Sequence, residues 1–232
     1  MNKLKQYLHN TIKNDMTTLS LIFFAMLYIT LKITCNPLFF RQININLLFI
    51  NYDFKILSSS LTYPLIYVIS DLIVLISNRR SAIFIVLTGI LCDGMFSCAW
   101  HFVSTIDVPQ VMTTTELIKT TAINIIGTDV WRLFYHGLLA STIAAIAELL
   151  IFSALYTKIK SFFISTIISV IITLAFHNII TEYQMIKNEP DAWFLIIHSL
   201  SINITIMIIY ALTVSIFLKI KSKLLITRLR TS

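Results

Sequence analysis

The chain has 232 residues, of which 57% are hydrophobic and only 12% charged, and its mean hydropathy is +0.84. A soluble domain averages roughly 25% charged residues, so the composition excludes a soluble globular protein. The net charge of +7 does not indicate a nucleic-acid partner, because the basic residues sit in short connectors where they orient helices against anionic headgroups.

Six long apolar stretches follow one another, and 12 of the 18 basic residues fall in every second connector or at the ends. These are Lys3, Lys5 and Lys13, then Arg79 and Arg80, then Lys158 and Lys160, and finally Lys219, Lys221, Lys223, Arg228 and Arg230. The other connectors carry acids: Asp53, Asp107, Glu116, Asp129, Glu189 and Asp191. The positive-inside rule turns this alternation into an all-α polytopic membrane protein with six transmembrane helices and cytoplasmic N and C termini. It forms a single integral membrane domain over residues 1–232, and no soluble domain is visible.

The first span is expected over 17–35. Its apolar core is too long for a secretory signal, so it is read as a retained helix. Lys32 is placed to snorkel to the headgroups, and Asn36-Pro37 is expected to end the helix. The second span (56–77) and third span (81–100) form a hairpin across the tight Ser77-Asn78-Arg79-Arg80 turn, and Trp100 is expected in the outer aromatic belt. In the longer connector that follows, Thr113 and Glu116 have capping-box spacing, and a short amphipathic or re-entrant helix is expected over 117–126. The remaining spans are read at 133–156, 162–183 and 193–218, each near the ~20 residues that a bilayer requires. Cys35, Cys92 and Cys98 form no CxxC pair and are read as small apolar side chains, which leaves no metal site and no cofactor.

Polar groups inside a bilayer are costly, so each calls for a reason. The second span sets Ser60, Pro64, Tyr67, Asp71 and Asn78 on one helical face. Pro64 frees the carbonyl of Ser60 and can kink the helix beside that acid. The third span places Gly89, Asp93, Ser97 and His101 at steps of four, as cavity lining or as a packing seam. The fourth begins with Arg132 and His136 and continues with Ser141, Ala144 and Glu148 on one face. In the fifth, Ser161, Ser165, Ser169, Thr173, His177 and Thr181 recur every four residues. The sixth adds His198, Asn203, Tyr210 and Thr213.

Together these residues predict one interior polar pocket. A carboxylate accepts two parallel N–H bonds from the edge of a planar ring, and tyrosine stacks on its face. The inventory therefore suits a neutral or weakly cationic, planar, hydrogen-bonding solute. There is no HExxH, no GxSxG and no adjacent Asp pair, so an enzyme is not expected.

The run Tyr63-Pro64-Leu65-Ile66-Tyr67-Val68-Ile69-Ser70-Asp71 resembles the aromatic-Pro…Asp signature of the queuosine-precursor transporters, the VUT family, with Tyr63 where Phe is usual. Arg132 followed by the apolar fourth span with Ser141 and Glu148 is similar to a second family segment, and Ser165-Thr166 to a third. The chain departs from the pattern at Val74, Leu75 and Asn78, where many members carry Glu and Gly. It departs again at Thr173 and His177, near a fifth-span Asp, and at Ile202 and Asn203, near a sixth-span Lys.

The resemblance implies a divergent member that imports a deazaguanine-type, purine-like queuosine precursor across the bacterial inner membrane. It also implies distant similarity to vitamin-binding subunits of energy-coupling transporters. On these grounds the expected solute-binding residues are Asp71, Tyr67, Pro64, Glu148, His177 and Asn203. The expected partners are the solute and the lipid bilayer, with no nucleic acid; an energising partner or a homo-oligomer stays open. The alternatives are a binding subunit that needs an energising partner and a non-transport membrane scaffold.

Overall fold

The computed structural model describes residues 2–39, 42–46, 53–107, 113–186 and 192–231, with side chains over 17–39, 58–107, 113–181, 183, 193 and 196–220. Residues 108–112, and Glu189 and Asp191 of the last connector, lie outside the described residues. Six helices among the described residues are long and apolar enough to cross a membrane. They are α1 (Asn2–Phe39), α2 (Ser59–Ile76), α3 (Arg79–Ser104), α4 (Thr114–Ile159), α5 (Phe162–Ile186) and α6 (Ala192–Thr231).

Several boundaries differ from the sequence reading: α2 begins at Ser59 and not at residue 56, α3, α5 and α6 run on to Ser104, Ile186 and Thr231, and three further differences shape the bundle. Helix α1 does not end at Asn36-Pro37 but carries Pro37 inside its last turn and stops at Phe39. Between α1 and α2 stand two short strands, β1 (Gln42–Asn46) and β2 (Asp53–Leu57), paired antiparallel with Gln42 opposite Leu57 and Asn46 opposite Asp53. The all-helical architecture therefore describes the membrane part, with a small ribbon in this connector.

The third difference is in α4. The expected capping box is present: the Thr113 hydroxyl accepts from the Glu116 N–H at 3.3 Å, and the Thr113 N–H donates to Glu116 Oε2 at 2.8 Å. The helix it starts does not close after Ile126, however, but runs unbroken to Ile159. At 1.5 Å per residue, 46 residues span about 69 Å, more than twice a hydrocarbon core of about 30 Å.

Glycines show how α4 lies on α3. A Cβ on Gly127 would come within 2.7 Å of the Trp100 carbonyl oxygen, and one on Gly94 within 2.7 Å of the Phe134 ring. The antiparallel register that this sets leaves the first turns of α4 beyond the end of α3, where Thr114 to Lys119 are all exposed.

The expected α2–α3 turn is present, with Asn78 capping α3 by accepting the Ser81 N–H at 2.9 Å. Helix α2 is the most enclosed span. One face packs in an apolar cluster with α1, α3 and α4, built around Tyr28, Ile69, Ile73, Val86 and Leu149. The other packs with α4, α5 and α6 through Val68, Leu72, Phe152, Leu174 and Met207. Large apolar side chains on the outer surfaces, such as Phe84, Met95 and Leu139, stay exposed, as a lipid-facing surface requires.

Candidate functional site: a stepped polar cavity

The polar faces read from the sequence turn inward. On α2, Ser60, Pro64, Tyr67 and Asp71 are all buried. On α5, Ser165, Ser169, Thr173, His177 and Thr181 are all buried, while their neighbours Ile168, Ile172, Phe176 and Ile179 are exposed. The period of four places the hydroxyls on one stripe, and that stripe faces the bundle. Asp93, Ser97, Glu148 and Asn203 are 4% exposed or less.

These faces enclose a chamber of about 670 Å3, counting its open mouth. All six helices line it, through Lys32 of α1, Tyr63 of α2, Asp93 of α3, Ser141 of α4, His177 of α5 and Asn203 of α6. The residues come from the last turns of α1 and α5 and the first turns of α2 and α6, so the chamber occupies the half of the bundle away from the chain ends.

An acid-centred cluster forms one wall. Asn36 Nδ2 donates to both Asp93 oxygens, at 2.9 and 3.1 Å, and Lys32 Nζ stands 3.7 Å from Asp93 Oδ2. Lys32 does not snorkel to the headgroups: it is 9% exposed and lines the chamber, because α1 continues past it for two more turns and Asp93 offers a counter-charge inside. The opposite wall is His177, whose Nε2 lies 2.9 Å from Ser141 Oγ and 3.5 Å from Thr181 Oγ1. Its ring tilts at 37° against Tyr63, with centroids 5.1 Å apart. Two amide atoms on this side, Asn178 Nδ2 and Asn203 Oδ1, have no hydrogen-bond partner among the described residues. His177 Nδ1 is likewise unpartnered, so the chamber wall keeps both spare donor and spare acceptor atoms.

Lys32, Tyr63, Ile90 and Ser141 also line a second, deeper chamber, so the two adjoin. Tyr63 and Tyr67 stand between them, with hydroxyls 2.9 Å apart and rings edge to face at 5.3 Å. The floor is Glu148, fully buried, which accepts from Ser70 Oγ at 3.1 Å on Oε2. Asp71 lies side by side with Glu148 and lines neither chamber.

Of the six residues expected to bind solute, His177 and Asn203 therefore line the outer chamber, and Tyr67 and Glu148 the inner one. Asp71 backs Glu148. Pro64 is buried outside both chambers; near the carbonyl that it frees, the Tyr210 hydroxyl donates to the Leu61 carbonyl at 2.9 Å. Sequence reasoning missed Lys32 and Asn36 as members of the site. The available signal was a cation and an acid, Lys32 and Asp93, each inside an apolar stretch and able to neutralise the other. Among the described residues no three His, Cys, Asp or Glu side chains converge as a metal site would require. No protein-family profile, no curated protein and no solved structure matches the chain.

Proposed function

We propose that this chain is a membrane transporter for a small, flat, hydrogen-bonding solute, and that the solute is a deazaguanine-type precursor of queuosine. The observation that carries the reading is the stepped cavity, lined by all six helices, open at one end and closed by a buried carboxylate at the other. Its polar groups are of mixed sign and largely neutral: amides, hydroxyls, an imidazole and a charge-balanced Lys32–Asp93 pair. This favours an uncharged ring system with donors and acceptors on its edge. The tyrosines and His177 offer faces on which such a ring stacks.

The identity of the solute rests on the resemblance of the Tyr63–Asp71 segment to queuosine-precursor transporters. With the chain ends in the cytoplasm, as the basic connectors favour, the cavity opens outward in a bacterial inner membrane and serves uptake. The closed floor also fits a subunit that binds solute and depends on an energising partner.

The test is the queuosine content of tRNA in a host that lacks both precursor synthesis and its own transporter, given low external precursor. Expression of the chain is expected to restore queuosine, and Glu148→Gln to abolish it with membrane protein level unchanged. No restoration by folded protein removes this substrate. Uptake by purified protein in liposomes excludes the need for a partner.

A further inference from the structure

Four buried oxygens at or behind the floor of the inner chamber lack the hydrogen-bond donors that Asp93 has. Neither Asp71 oxygen, nor Glu148 Oε1, nor Thr166 Oγ1 has a hydrogen-bond partner among the described residues, although all three residues are fully buried. The Asp71 and Glu148 carboxyls stand side by side, and the Thr166 hydroxyl lies near Asp71. Two carboxylates hold no donor between them. Inside a bilayer, two adjacent unscreened negative charges carry a large desolvation and repulsion cost.

Among the described residues the surroundings supply no compensating cation. From α1 come Tyr28 and Lys32, and the Lys32 ammonium stands against Asp93 of α3 at 3.7 Å. Helix α2 adds Tyr67, bonded to Tyr63, and Ser70, whose single hydroxyl hydrogen is shared between the Tyr67 carbonyl at 2.7 Å and Glu148 Oε2 at 3.1 Å. Helix α5 adds hydroxyls, with His177 higher up against Ser141. The buried side chains of α6, Ile196, Asn203, Met207 and Ala211, include no titratable group.

We propose that Asp71 and Glu148 share one proton and form the proton-coupling site of the transporter proposed above, on which reading this inference rests. The proton sits between a Glu148 oxygen and an Asp71 oxygen, donated by one carboxyl and accepted by the other. The two acids face different ways. Glu148 forms part of the inner chamber and so meets protons arriving through the cavity. Asp71 is enclosed on the side of Thr166, away from the chamber. Transfer from Glu148 to Asp71 moves the shared proton off the chamber wall and leaves Glu148 ionised; Glu148 takes up the next proton only after Asp71 has released this one to the opposite side. Binding of an N–H-bearing solute at Glu148 would favour its ionised form and push the proton to Asp71, which links solute and proton.

The experiment is infrared spectroscopy of the purified full chain in lipid nanodiscs, followed by uptake in proteoliposomes. At neutral pH the wild type is expected to show a protonated-carboxyl C=O band that shifts in deuterated buffer and disappears in both Asp71→Asn and Glu148→Gln. The isosteric double variant, which needs no proton, controls for folding. Absence of the band at neutral pH overturns the proposal. So does its abolition by added NaCl at constant pH, which would make the occupant a sodium ion. In liposomes, an inside-alkaline gradient is expected to speed precursor uptake at least several-fold in the wild type and not in Glu148→Gln. Uptake indifferent to the gradient overturns coupling while leaving the transport reading intact. A band without any uptake overturns coupling together with the transport reading, and leaves only a proton-binding site.

Discussion

Asp93 and Asp71 are both carboxylates inside a membrane bundle, at 1% and 0% exposure, yet the protein serves them in opposite ways. Asp93 receives two N–H bonds from Asn36 and an ammonium at 3.7 Å. Asp71 receives nothing from the described residues except the company of another acid. A buried charge that is fully partnered holds its geometry and its protonation state. A buried charge left without donors is tolerated only if something that comes and goes completes it. The outer acid cluster therefore reads as the part that shapes the chamber, and the inner pair as the part that works.

The largest effect should come from breaking the outer cluster. Lys32→Met leaves Asp93 buried without its counter-charge, and the expected loss is about 3–5 kcal/mol of stability. This would be read as a lower melting temperature and poor recovery of the monodisperse protein in detergent. The double variant Lys32→Met/Asp93→Leu should regain most of that loss, because an apolar pair of similar volume requires no desolvation of charge. A single variant as stable as the wild type would mean that Lys32 is solvated, and the contrast between the two acids would fail.

The next effect sharpens the comparison within the cluster. Asn36→Leu removes both N–H donors but keeps the ammonium. Hydrogen bonds to charged groups are worth about 1.5–3 kcal/mol, so the variant should lie between the wild type and Lys32→Met in a melting series. An Asn36→Asp change should be worse than Leu, since it sets a second carboxylate against Asp93.

How far the sequence led differs between these regions for physical reasons. The α5 stripe was legible because a period of four needs only the helix itself, and Ser165, Ser169, Thr173, His177 and Thr181 are buried as that period requires. Lys32 was misplaced because hydropathy ended the first span at Cys35, three residues on. The helix in fact continues through Pro37 to Phe39, which moves the lysine inward. A proline near a helix C-terminus removes only one backbone bond, so the breaker rule gave way.

The short helix expected over 117–126 stops just before Gly127. It is a glycine because the Trp100 carbonyl passes where a Cβ would stand, and such close approach is a property of two helices that no local pattern reveals. The ribbon β1–β2 did have a signal, the alternation Gln42-Ile43-Asn44-Ile45-Asn46, outweighed by the helical composition on either side. The pairing of Asp71 with Glu148 could not be read at all. Each residue sits correctly on its own helix face, but which faces meet is decided by packing across α2 and α4.

The smallest stability change should come from the inner pair, and it is the change that decides the comparison. In Asp71→Asn/Glu148→Gln, an amide N–H of one side chain can donate to the amide carbonyl of the other, which replaces the shared proton without a net charge. Ser70 keeps an acceptor at position 148. The melting temperature should therefore stay close to that of the wild type, a change of less than about 1 kcal/mol, while solute uptake is lost. Two buried acids are altered, against one at most in the outer cluster, with the opposite balance between stability and function. If the double variant instead unfolds as readily as Lys32→Met, the inner carboxyls are structural partners of each other. Asp71 and Asp93 would then differ only in how they are satisfied, and the floor of the cavity would be a seal and not a working part.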